Sequence, residues 1–168
     1  MVAASNDSEA NRITSTACRH TMLLSSLAAA AVGLFGPLMI HRLYGSQFVA
    51  ALIPLFILLP GIAISSQSVI LYGDLAGRGG PEVGTMSTLV GLIATVLLDF
   101  ALIPAYGITG AAAASTLAYT LEFLVASLFF IRHTGLSWSD VFLFRKSDLR
   151  YYAEFSTRLS KNLSYGVK

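Results

Sequence analysis

Two acidic side chains lie inside long apolar stretches of this sequence, and they are the first candidates for chemistry. Glu122 lies ten residues before Arg132, about 15 Å at the rise of a helix, which places it near the middle of its stretch. Asp99 lies closer to the end of its own stretch, five residues before Pro104. A charge in hydrocarbon is costly unless it faces a cavity or a partner, so both positions are candidates for transport or for intramembrane polar contact.

Two interpretations of Glu122 are open. It could contact a proton or a substrate in a cavity. Alternatively, it could be protonated or hydrogen-bonded and bridge to the polar run Ser65, Ser66, Gln67 and Ser68, of which Ser65 and Gln67 are the main candidates. For Asp99 we favour a packing role at a depth that water reaches.

Other chemistry has no support in the sequence. The glycine-rich run GDLAGRGGPEVG lacks the Lys-Ser/Thr ending of a phosphate-binding loop and is better interpreted as a turn. The three histidines, His20, His41 and His133, are too dispersed for a metal site. Cys18 is the single cysteine, which precludes an internal disulfide. We therefore expect neither an enzyme, nor a metal, nor a cofactor.

The elements that carry these residues are apolar stretches of bilayer length. Of the 168 residues, 55% are hydrophobic and 12% are charged, against about 25% charged in a soluble domain. Four stretches can cross the hydrocarbon core, at about residues 22–40, 48–71, 83–103 and 108–131. The connectors are short, so we predict an all-α integral membrane protein with four transmembrane helices in an antiparallel bundle.

The distribution of positive charge predicts the orientation. Lysine and arginine favour cytoplasmic segments. Four crossings put ten of the eleven basic residues on one side, and only Arg42 on the other. Residues 1–21 are therefore predicted to be a cytoplasmic segment, residues 22–131 the transmembrane domain and residues 132–168 a basic cytoplasmic tail. From Ser147 onward the tail is either an amphipathic helix on the anionic leaflet or a solvated segment.

Small residues and prolines predict the packing and the bends. In LIPAYGITGAAAAS, Pro104 is expected to end the third helix and Gly107 to permit the turn into the fourth. Gly110, Ala114 and Ala118 share one face and predict close helix packing. In the second helix, Pro60 and Gly61 predict a kink, which is either a hinge or a static bend.

Several motifs together resemble a known family. Along the chain these are the polar run SEANRITSTACRH, YGSQF, the segment IPLFILLPG, the loop LAGRGGPE and LIPAYGITGAAAASTLAY. In this order they are similar to the last part of oligosaccharide and polysaccharide flippases. These belong to the exporter superfamily that also contains the MATE drug antiporters and the lipid II flippase. The likeness covers about residues 5–135. One departure is Asp99, where the family commonly has asparagine.

The resemblance implies transport of lipid-linked oligosaccharide across the bacterial cytoplasmic membrane by alternating access. Such transporters have two lobes, and this chain matches only part of one MATE-like lobe, so we expect further spans to be encoded upstream of Met1. Expected partners are membrane lipids, a lipid-linked glycan and a missing N-terminal lobe or partner subunit, with no nucleic acid. The alternatives are a portion of a MATE-type cation-coupled drug exporter and a non-transporting four-helix assembly subunit.

Overall fold

The structure is a computed structural model that describes the backbone of residues 2–143 and the side chains of residues 7–143. The described part is helical and contains no strand. Its helices are α1 (Val2–Met39), α2 (Leu52–Gly77), α3 (Glu82–Thr134) and the short α4 (Trp138–Phe142). A π-helical turn, Ile40–Tyr44, and a 3-10 turn, Ser46–Ala51, connect α1 to α2. The predicted amphipathic helix from Ser147 onward lies outside the described residues.

Helix α1 is much longer than the first predicted stretch. It begins at Val2 rather than near residue 22 and includes the whole polar run that precedes the apolar residues. The predicted boundary between residues 21 and 22 is therefore not a break in the helix. The connection to α2 turns at Gly45, whose φ of 88° is in the region that favours glycine.

The third and fourth predicted helices are both present, and the label α3 covers the two of them with a non-helical residue, Gly107, between them. The expectation that Pro104 ends the third helix is wrong, since helical geometry continues through it. Proline removes only its own N–H and disturbs the preceding turn, so a helix can pass through it with a bend. The predicted turn at Gly107 is confirmed, with φ 57° and ψ −135°, a conformation that side chains disfavour.

Gly107 reverses the chain, so α3 is a hairpin of two arms, residues 82–106 and 108–134. A Cβ on Gly110 would collide with the backbone carbonyl of Leu102, and the Thr88 hydroxyl reaches Glu122 across the hairpin. The glycine at position 110 therefore permits the two arms to approach at the backbone level.

Three helical segments are long and apolar enough to cross a membrane: Asp7–Tyr44, Ser46–Gly77 and Glu82–Thr134. Large apolar side chains remain exposed along them, including Leu34 on α1, Ile53 on α2 and Phe100 on α3. Soluble proteins rarely expose such continuous apolar surface. These helices indicate a membrane-embedded protein.

Helix α2 packs against both α1 and α3. The small-residue face of the second arm of α3 is buried, with Gly110, Ala112, Ala114 and Ala118 among its buried residues. A separate apolar core lies where α1, α2, the end of α3 and α4 meet. It is formed by Cys18, Leu71, Leu75, Ala126, Phe130 and Val141.

Candidate functional site: a carboxylate between α2 and the two arms of α3

Glu122 is held where three helical segments meet. Its Oε1 accepts a hydrogen bond of 2.7 Å from the Tyr72 hydroxyl of α2 and one of 3.1 Å from the Thr88 hydroxyl of the first arm of α3. The sequence had suggested residues 65–68 as its partners, and the structure shows Tyr72 and Thr88 instead. Hydroxyls at these positions are hard to identify as partners from sequence, because the pairing depends on how the hairpin is registered.

A glycine makes room for the carboxylate. A Cβ on Gly91 would lie 3.3 Å from both the Cβ and the Oε2 of Glu122, tighter than ordinary contact. Gly91 is buried, so the Glu122 side chain crosses the first arm of α3 over a position that carries no side chain of its own. The glycine therefore determines where the carboxylate lies as much as its two hydrogen-bond donors do.

The site lies nearer to one end of the helices than the count from Arg132 suggested. Thr88 is six residues after Glu82, the first residue of α3, which corresponds to about 9 Å at the rise of a helix. Tyr72 is similarly five residues before the end of α2 at Gly77. Because both partners lie this close to the connector between α2 and α3, so does the carboxylate that they hold.

Three buried hydroxyls surround this region of the helices. Ser68 is one turn from Tyr72, Ser87 precedes Thr88, and Ser127 is in the same arm as Glu122. Each is at most 2% exposed, and the Oγ atoms of Ser87 and Ser127 have no hydrogen-bond partner within residues 7–143. Buried hydroxyls are normally paired, so this part of the interface has more hydrogen-bonding capacity than the described residues use.

Gln67 and Ser65, the other polar candidates in α2, have different surroundings. Gln67 is fully buried. With its amide oriented to satisfy both contacts, its Nε2 donates to the Cys18 carbonyl at 2.8 Å and its Oε1 accepts from the Met22 N–H at 3.0 Å. Ser65 donates to the Ile62 carbonyl of its own helix at 3.2 Å. Gln67 therefore joins α2 to α1, whereas Ser65 makes only a local contact.

Of the two hinge candidates, Gly61 is in close contact with α3, whereas Pro60 is exposed. A Cβ on Gly61 would lie 2.8 Å from the Cα of Thr116, and the Thr116 hydroxyl donates to the Ile57 carbonyl at 2.7 Å. Gly61 thus leaves room for the neighbouring backbone of α3, and the Thr116 side chain binds a carbonyl one turn before Pro60. Of the two interpretations of the kink, this contact favours a static bend.

Asp99 differs from Glu122 in having an unpaired oxygen in the interior. Its Oδ1 is buried and has no hydrogen-bond partner within residues 7–143. It lies in the first arm of α3, eight residues before the break at Gly107, and thus on the opposite side of the arm's midpoint from Thr88. The structure does not bring the two acids together.

A polar network at the ends of α1 and α2 was not predictable from the apolar stretches. Asp74 pairs with Arg78 at 2.6 Å and accepts a hydrogen bond of 2.6 Å from Thr14 of α1. Arg78 also donates to Asn11 at 2.7 Å, and Arg19 donates to the backbone carbonyl of Asp140 at 2.8 Å. The one signal in the sequence was the four-residue spacing of Asp74 and Arg78, which favours an ion pair on a helix.

Within residues 7–143, no group of three or more histidine, cysteine or acidic side chains is placed to hold a metal ion. The chain matches no family model, no curated protein and no solved structure.

Proposed function

We propose that this chain is the C-terminal portion of a flippase that moves lipid-linked oligosaccharide or polysaccharide precursors across the bacterial cytoplasmic membrane. In this proposal the chain crosses the membrane four times as an antiparallel bundle, with both termini in the cytoplasm. The two arms of α3 are the third and fourth crossings. The motifs quoted above support a lipid-linked glycan as the substrate, because they resemble those of oligosaccharide and polysaccharide flippases.

The observation that carries the proposal is the position of Glu122. A helix-packing subunit has no need of a carboxylate between apolar helices, where an unpaired charge is costly. Here the carboxylate receives hydroxyl hydrogen bonds from two helical segments and sits over a glycine, so the fold holds it in place. A carboxylate held in this way can accept a proton, or it can accept hydrogen bonds from the hydroxyl groups of a glycan.

Asp99 favours the second candidate, a portion of a MATE-type cation-coupled exporter. Its buried Oδ1 has no partner in the described part of the chain, and transporters that couple to ions place such acids within their spans. The two candidates differ in cargo, since one moves a lipid-linked glycan and the other a drug.

The proposal is tested by Glu122→Gln in a complete transporter that contains this chain. The amide keeps the shape of the side chain and removes its charge. We expect glycan export to be lost while the amount of protein in the membrane stays normal. Glu82→Gln is the matched control, because Glu82 is exposed at the start of α3, and it should leave export unchanged. Normal export by Glu122→Gln would show that the carboxylate has a packing role.

A further inference from the structure

The outer surface of the first arm of α3 carries a polar patch within an apolar face. Thr85 and Thr88 are exposed and line a groove of about 430 Å³ with Gly84, Leu89 and Leu92. The exposed residues around them are apolar and include Met86 and Ile93. We call Thr85, Thr88 and the Oε2 atom of Glu122 the α3 polar patch.

The Glu122 carboxylate has an oxygen without a hydrogen-bond partner near this surface. Both of its hydrogen bonds arrive at Oε1, and Oε2 accepts none from residues 7–143. Oε2 lies beside Gly91, and Thr88, which binds the other oxygen, lines the groove. Glu122 itself is only partly buried. One oxygen of the Glu122 carboxyl group is therefore fixed by α2 and α3, and the other has no hydrogen-bond partner within residues 7–143.

Lipid acyl chains cannot satisfy the hydrogen-bonding capacity of Oε2 of Glu122. An acyl chain offers no hydrogen-bond donor to the oxygen that Tyr72 and Thr88 leave unpaired. The chain has no lysine or arginine between Arg42 and Arg78 or between Arg78 and Arg132. The positive charge that would complement Glu122 is thus absent from the apolar parts of α2 and α3.

We propose that the α3 polar patch is the docking surface for a transmembrane helix outside residues 1–168, and that this helix places a lysine or arginine opposite Oε2 of Glu122. The docked helix would match the patch in charge at the Glu122 carboxylate and in shape along the groove. There the small residues Gly84, Thr85 and Thr88 permit a close approach. This inference concerns an interface and holds whether or not the chain transports a glycan.

A second copy of this chain does not fit the same surface. A symmetric contact through the patch would bring Glu122 towards the Glu122 of the other copy, and like charges at low dielectric repel strongly. The other faces of α2 and α3 offer no lysine or arginine at this depth. Contact with a second copy through α2 or α3 is therefore disfavoured.

The test uses the full 168-residue chain in neutral phosphatidylcholine vesicles, together with a synthetic helix of about 20 leucine and alanine residues. One peptide carries a lysine about six residues from one end, level with Glu122, and the other carries leucine there. Association is measured by energy transfer to a dye at Gly79→Cys in a Cys18→Ser background. We expect the lysine peptide to bind about tenfold more tightly than the leucine peptide.

Two variants separate the charge from the groove. Glu122→Gln should abolish the preference for lysine, and Thr85→Trp, which fills the groove without touching the hydrogen bonds of Glu122, should weaken binding of both peptides. Glu82→Gln, at the exposed start of α3, should change neither. The proposal is overturned if the two peptides bind the unmodified chain equally, if Glu122→Gln keeps the preference, or if Thr88→Cys forms a disulfide between two copies of the chain.

Discussion

At the scale of single residues, two glycines decide how closely the helices approach. Gly61 of α2 faces the backbone of Thr116, and Gly110 faces the carbonyl of Leu102 across the hairpin of α3. Where burial in lipid provides no hydrophobic driving force, such backbone approach and the polar contacts that it permits hold helices together. The Thr116 hydrogen bond to the Ile57 carbonyl is a contact of this kind.

Gly61→Ala should destabilise the chain by about 1–3 kcal/mol, since the added methyl would overlap the Thr116 backbone. Gly73→Ala is the matched control in the same helix, because a Cβ there meets nothing within 4 Å. It should be neutral or stabilise by about 0.4–1 kcal/mol through helix propensity. Thermal unfolding in detergent, followed by circular dichroism, measures both. Equal midpoints for the two variants would contradict the close contact.

At the scale of the elements, the break in α3 is a property of Gly107 rather than of Pro104. Helical geometry passes through Pro104, and the backbone reverses three residues later at a conformation that requires glycine. The hairpin then brings Thr88 and Gly91 level with Glu122, and so assembles the candidate site from residues far apart in sequence.

Gly107→Ala should cost about 1–3 kcal/mol, because its φ and ψ lie in a region that side chains disfavour. A Cβ there meets no atom within 4 Å, so the cost is backbone strain rather than collision. Pro104→Ala should be tolerated, since the residue is already helical and alanine restores an N–H. Unfolding in mixed detergent micelles compares the two. A larger loss from Pro104→Ala would show that the proline makes the turn.

The sequence predicted the apolar stretches and the small-residue face better than it predicted their ends. Bilayer-length stretches are conspicuous, and the Gly110, Ala114 and Ala118 spacing identifies a face without any tertiary information. The start of α1 was not predictable from hydropathy, because residues 7–21 are polar and their helix is held by contacts of Thr14 and Arg19 with distant residues. The partners of Glu122 depend on register, which hydropathy does not encode.

At the scale of the whole molecule, the polar contacts are concentrated towards one end. Asp74, Arg78, Asn11 and Thr14 link α1 to α2 there, and Arg19 contacts the α4 backbone. In the proposed orientation this end faces the cytoplasm, and the connector at Gly45 and the turn at Gly107 face the outside.

Single cysteines in a Cys18→Ser background test this orientation. Ser46 and Ala105 lie at one end of the helices and Gly79 at the other, and all three are exposed, so labelling reports the side of the membrane rather than burial. An impermeant maleimide added to intact cells should label Ser46→Cys and Ala105→Cys but not Gly79→Cys. Labelling of Gly79→Cys from outside would reverse the topology.

The continuity of α1 has a mechanical consequence. Gln67 of α2 contacts α1 at Cys18 and Met22, and the helix continues from there to Pro37, a length of about 22 Å, beyond which the proline permits a bend. Because α1 is held near one end, a tilt of about 10° at the Gln67 contact displaces the other end of this part of the helix by about 4 Å. A displacement of α1 at Asn11 and Thr14 would therefore be transmitted along the helix towards Pro37.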